Sequence, residues 1–164
     1  MTGPRAAAPG ALTHVDEAGH ARMVDVSGKD VTAREARASG RVLLSPGAVA
    51  ALRAGTVPKG DALAVARIAG IMGAKKTPDL VPLCHPIALH SVKVDLEVTD
   101  DGVLISAVTR TADRTGVEME ALTSVTVAGL ALIDMIKAVD PAAVLTDVRV
   151  EEKAGGKTGP WRRP

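Results

Sequence analysis

From Met23 onward, hydrophobic and polar positions fall into a sequence of strand-like and helix-like segments. Arg41 to Leu44 predicts a short strand, and Ser45 before Pro46 predicts a capped helix to Ala54, because proline suits the first helical turn. Asp61 caps a second helix to about Lys75, with Ala64, Ile68, Ile71 and Met72 as its apolar stripe and Lys75 and Lys76 at its negative end. Ser91 to Val98 and Val103 to Thr111 are β-rich and joined across Asp100, Asp101 and Gly102, a hairpin signal. Val117 to Val139 is the longest predicted helix, ended by Asp140 and Pro141, and Val144 to Val150 predicts a last strand. The order strand, helix, helix, strand, strand, helix, strand implies an α+β, ferredoxin-like sandwich: an antiparallel four-stranded sheet with helices packed on one face.

Residues 1–22, rich in Ala, Gly and Pro, are expected to form a flexible N-terminal arm, to which the sequence assigns no role, and 23–164 a single catalytic domain. No stretch reads as a membrane span or a signal peptide, which predicts a cytoplasmic protein. Twenty basic against nineteen acidic residues argue against nucleic-acid or membrane binding through bulk charge, so any anion site is local. The single cysteine, Cys84, excludes an internal disulfide and a multi-cysteine zinc site. With no Phe, no Tyr and only Trp161, the core must be aliphatic. Such a core offers less apolar area to bury, so self-association is expected to supply the remainder.

Charges on the long helix are informative because its faces are otherwise so apolar. Asp134 and Lys137 lie three apart and share a face. They form either a structural ion pair near the helix end or a coupled acid and base. Thr115 and Glu118 fit a capping box, which would explain Glu118 without chemistry, whereas Glu120 has no such explanation. Glu120 and Asp134 fall on one stripe roughly 21 Å apart at 1.5 Å per residue. A single small site in one chain cannot use both; the ligand is long or the site lies where two subunits meet.

Pro78, Pro82 and Pro86 recur every fourth residue, which argues against a helix and for a stiff extended segment presenting Cys84 and His85. Either side chain could also be purely structural. Lys59 stands before the predicted helix start at Asp61, where backbone N–H groups favour anions, or is simply a surface lysine. Lys153 to Gly159 is a basic, glycine-rich loop able to approach phosphate, but not a Walker A loop, since Glu151 occupies the first glycine position and no helix can follow.

These segments together resemble the molybdenum cofactor biosynthesis protein C family, the cyclic pyranopterin monophosphate synthases. The resemblance runs through Met23–Ser27, Thr32–Ala38, Lys59–Asp61, Ala66–Ile71, Asp79–Pro86, Thr115–Leu122, Asp134–Ala138 and Gly155–Gly159. It implies conversion of 3′,8-cyclo-dihydroguanosine triphosphate, made from GTP by an upstream radical enzyme, into cyclic pyranopterin monophosphate and diphosphate. It also implies a homohexamer, a trimer of dimers with sites at subunit interfaces, needing no resident cofactor or metal, with Mg2+ able to accompany the triphosphate. Asp134 would be the catalytic acid-base residue with Lys137 as partner and Lys59 at the reacting region. Leu83, Cys84, His85, Glu118, Met119 and Glu120 would line the substrate pocket, while Arg34, Lys153 and Lys157 would face phosphates. Relatives often carry an aromatic where Ile133 stands, a departure that touches no site residue. Two rivals remain: a metal-dependent phosphohydrolase using Glu118, Glu120, Asp134 and His85 as ligands, and a nucleotide-binding regulatory module without turnover.

Overall fold

The computed structural model describes residues 14–16 and 18–164. In chain order the elements are β1 (Thr32–Leu43), α1 (Pro46–Ala54), α2 (Ala62–Lys75), α3 (Thr77–Leu80), β2 (Ser91–Val98), β3 (Gly102–Asp113), α4 (Glu118–Ile136), β4 (Val144–Ala154) and β5 (Trp161–Arg162). The strands form one antiparallel sheet in the order β2-β3-β1-β4-β5, and α4 packs on β1, β3 and β4 while α2 packs on α4 and β2. This is the expected α+β sandwich, with a two-residue edge strand added to the four-stranded sheet. Residues 1–13 of the predicted arm lie outside the described residues. Within its described part, Val15 pairs with Ala21 around a turn in which Asp16 accepts from the backbone N–H groups of Ala18 and His20.

Helix starts follow their caps. Ser45 accepts from the N–H of Ala48 and Asp61 from that of Ala64. Strand β1 instead begins nine residues before the predicted Arg41, pairing with β3 from Thr32↔Asp113 to Leu43↔Gly102. Its inward positions are Ala36, Ala38, Gly40 and Val42, so the alternation is real but carried by side chains too small to register as hydrophobic. The proline-spaced segment also departs from expectation, because Thr77–Leu80 forms one helical turn. Pro78 sits in that first turn, where a missing N–H costs nothing, and the chain is non-helical beyond it. Helix α4 stops at Ile136, three residues before the predicted Val139, and Asp140 accepts instead from the N–H groups of Ser45 and Ala142.

Contrary to the sequence expectation, α4 is long and apolar enough to cross a membrane, at 19 residues with a mean hydropathy of 1.6. The fold uses that apolarity internally: Ala121, Val125, Ala128, Leu132 and Ile136 are fully buried. Helix α2 buries its small residues, Ala62, Ala66, Gly70, Gly73 and Ala74. This allows close approach to α4: a Cβ on Gly73 would stand 2.7 Å from Cβ of Val127, and one on Gly70 3.0 Å from the Ser124 carbonyl oxygen. Of the large members of the predicted stripe, Ile71 packs against the core, whereas Ile68 and Met72 face outward at 59% and 61% exposure, with Val65 beside them. A similar approach joins β1 to α4, where a Cβ on Gly40 would lie 2.7 Å from Cγ1 of Val125 and 3.2 Å from Cγ2 of Val148. Gly40→Ala is therefore expected to destabilise the fold by about 1–3 kcal/mol through overpacking, measured by chemical denaturation.

Candidate active site

The candidate residues gather at the two ends of α4. At the C-terminal end, Asp134 accepts from two ammonium groups, Lys137 Nζ to Oδ1 at 2.7 Å and Lys59 Nζ to Oδ2 at 2.7 Å. Lys137 reaches it from one helical turn away. Lys59 is delivered by the turn before α2, where Gly60 takes a left-handed φ of 99°. The N–H groups at the start of α2 are partly occupied by the Asp61 cap, so the anion-site reading of Lys59 gives way to a direct bond to Asp134.

The cluster is not in the core, as the apolar character of α4 suggested it would be. The side chains of Asp134 and Lys137 are 55% and 58% exposed, on an open face of the helix, while Leu132, Met135 and Ile136 on its other faces are buried. Hydrogen bonds from Lys137 and then Lys59, reinforced by their charges, pull the Asp134 carboxyl down to about 2. It is therefore ionised at neutral pH and a weak base.

At the N-terminal end of α4 lies a cavity of about 430 Å³. Its lining includes Leu83, Cys84 and His85 from the proline-stiffened segment, and Glu118, Met119 and Glu120 from the first turn of α4. The predicted capping box is absent: Val117 precedes the helix, with no side-chain cap. Glu118 instead accepts from Lys153 Nζ at 2.8 Å, a charge-assisted bond stronger than a neutral cap. His85 Nε2 lies 2.7 Å from the Val24 carbonyl oxygen. A carbonyl only accepts, so Nε2 carries the hydrogen, and in the neutral ring Nδ1 keeps a lone pair. Burial, then the charge of Glu120, pushes the Cys84 thiol up and keeps it protonated, favouring a packing role over a nucleophilic one.

Glu120 is the deepest of these groups, 3% exposed, and burial together with neighbouring Glu118 pushes its carboxyl up to about 7. Between about pH 4.5 and 7 the folded protein holds a proton that the unfolded chain has released, so stability falls as pH rises through that window. Glu120→Gln should therefore match the parent near pH 5 and exceed it at pH 8 by on the order of 3 kcal/mol, read from denaturation midpoints at the two values.

The basic candidates divide as well. Lys153 belongs to the cavity end through Glu118. Arg34 donates from Nε to the Asp113 carbonyl oxygen at 3.3 Å and lies against the Gly155–Gly156 turn, where a Cβ on Gly156 would collide with its Nη1. Lys157 is exposed just beyond that turn. Sequence reading missed the contribution of 14–29: His14, Val24, Val26 and Lys29 line the cavity, along with Thr115 and Gly116. Only the Met23–Ser27 motif pointed there, without assigning a role. Among the described residues no three His, Cys, Asp or Glu side chains come close enough to hold one metal ion, and Glu120 and Asp134 of the phosphohydrolase reading stand at opposite ends of α4.

The MoaC family pattern matches residues 23–156, a span that contains both ends of α4 and every candidate residue except Lys157. The chain belongs to the MoaC family. Among its MoaC relatives, the cyclic pyranopterin monophosphate synthase of Streptomyces avermitilis is 72% identical over 152 residues, 93% of this chain and 89% of that protein. The synthase of a Nocardioides species is 67% identical over 159 residues, 95% and 98% of the two chains. Cyclic pyranopterin monophosphate synthase 3 of Mycobacterium tuberculosis is 56% identical over 155 residues, 94% and 88%. Membership of the MoaC family agrees with the resemblance carried by the motifs.

Proposed function

We propose that the protein acts in molybdenum cofactor biosynthesis, converting (8S)-3′,8-cyclo-7,8-dihydroguanosine 5′-triphosphate into cyclic pyranopterin monophosphate with release of diphosphate. The observation that carries this reading is the pair of ammonium groups held 2.7 Å from one carboxylate, Lys59 and Lys137 on Asp134. Opening a purine-derived ring and closing a pyran ring needs repeated proton transfers, which neighbouring ammonium groups can make and reverse. In the cyclising step a hydroxyl oxygen attacks the α-phosphorus, its proton passes to a base, and the α–β bridging oxygen leaves with diphosphate. Asp134 fixes both lysines at that point. With no Phe, Tyr or Trp among the described lining residues, the cavity groups Glu118, Glu120 and His85 recognise the heterocycle by hydrogen bonds, while Leu83, Cys84 and Met119 supply apolar walls. Arg34, Lys153 and Lys157 serve the triphosphate. No resident cofactor is required, and any Mg2+ enters with the triphosphate as part of the substrate.

The cluster and the cavity belong to one site in this reading, contributed by two chains, because about 21 Å of α4 separates Asp134 from Glu120 within one. The outward apolar row Val65, Ile68 and Met72 of α2, with Leu130 of α4, supports self-association, here into a hexamer built as a trimer of dimers. In this reading the protein works in the cytoplasm, downstream of the radical enzyme that cyclises GTP. Incubating the purified protein with the cyclised triphosphate tests the reaction: diphosphate is released together with the pterin product, and absence of release refutes the assignment.

A further inference from the structure

We infer that Lys29 is a substrate-binding residue of this site, holding an oxyanion of the triphosphate at the mouth of the cavity. The inference rests on the proposed reaction and concerns a residue outside the motifs. Lys29 lines the cavity from a segment fixed at several points. Its own N–H donates to the Val26 carbonyl at 3.0 Å, and its carbonyl accepts from Arg114 Nε at 2.9 Å. Upstream, the Val24 carbonyl accepts from His85, and the Asp25 carboxylate accepts from the Ser27 N–H at 2.9 Å. The backbone carrying Lys29 is thus tied both to the cavity wall and to the connection between β3 and α4.

Charge pairing separates Lys29 from the other lysines of the site. Lys153 is committed to Glu118, and Lys59 and Lys137 to Asp134. Lys29 forms no salt bridge with any described residue. Nor does its charge offset Glu120, whose carboxyl is raised by burial and by Glu118. The location favours phosphate over the heterocycle. Arg34 bonds to the carbonyl of Asp113, and Arg114, the next residue, bonds to the carbonyl of Lys29. Consecutive residues of one connection therefore anchor Arg34 and the backbone of Lys29, and Arg34 in turn touches the turn leading to Lys157. Lys29 extends this row of cations to the cavity mouth, where a triphosphate bearing several negative charges needs counter-charge that the paired lysines supply only in part.

The test is steady-state turnover of the cyclised triphosphate by Lys29→Ala and Lys29→Arg, with inorganic triphosphate as competing ligand. Lys29 is exposed, so neither change disturbs the core. Lys29→Ala should raise KM about tenfold with kcat within about twofold, and weaken inhibition by inorganic triphosphate by a similar factor, while Lys29→Arg stays near the parent. An unchanged KM overturns the inference. So does a raised KM with unaltered triphosphate inhibition, which would place Lys29 on the heterocycle. If the parent protein fails to turn over, the proposed reaction falls by itself. Calorimetric binding of inorganic triphosphate to the parent and to Lys29→Ala then still decides Lys29, equal affinity refuting it.

Discussion

Lys137→Ala is expected to lower turnover by about 10²–10⁴-fold while leaving the fold intact. Both halves of that expectation follow from the exposure of the cluster. Lys137 and Asp134 are each more than half exposed, and ion pairs in that setting contribute little to stability, so a melting curve should scarcely move. Chemistry is affected differently. Asp134 is held ionised by two cations, so in the proposed reaction it is the lysine pair that gives up protons. Without Lys137, one donor is gone and Asp134 keeps Lys59 alone, so its carboxyl rises toward the ordinary range. Asp134→Asn should be at least as damaging, because it releases both lysines from the point that fixes them. Single-turnover diphosphate release, followed alongside thermal unfolding, separates the effects. Full turnover in Lys137→Ala would make the cluster a surface ion pair and overturn its proposed part in the chemistry.

What could be read from the chain depended on the distance over which each interaction acts. Caps are local, so Ser45 and Asp61 marked their helices correctly. The pairing of Asp134 with Lys137 was legible from a three-residue spacing, but its bond to Lys59 spans 75 positions and leaves no trace in local pattern. Glu118 fitted a local cap, yet Lys153, 35 residues onward, engages it instead. The first nine residues of β1 were hidden because Ala36, Ala38 and Gly40 bury almost no hydrophobic bulk, and their role becomes visible only once β3 and α4 close over them. The outward turn of Ile68 and Met72 was equally invisible, since an apolar stripe looks the same whether it faces its own core or another chain. The cavity wall supplied by Val24, Val26 and Lys29 depends on His85 and Arg114, 61 and 85 positions away.

The separation along α4 leads to the second large effect. Glu120→Ala removes the deepest polar group of the cavity, and Lys137→Ala removes a proton donor at the opposite end of the helix; each protein alone should be nearly inactive. If every site takes its cavity from one chain and its lysines from another, a mixed pair of the two variants contains one wholly native site and one doubly damaged site. Random assembly makes about half of all pairs mixed, so co-expression of equal amounts should restore roughly a quarter of the parent's turnover. A site confined to one chain cannot be repaired this way, because every chain carries one lesion. The deciding measurement is therefore diphosphate release by the co-expressed, doubly tagged and purified mixture. Recovery to roughly a quarter of parental turnover is the predicted result, and activity no higher than that of the two variants measured separately would contradict a site shared between chains.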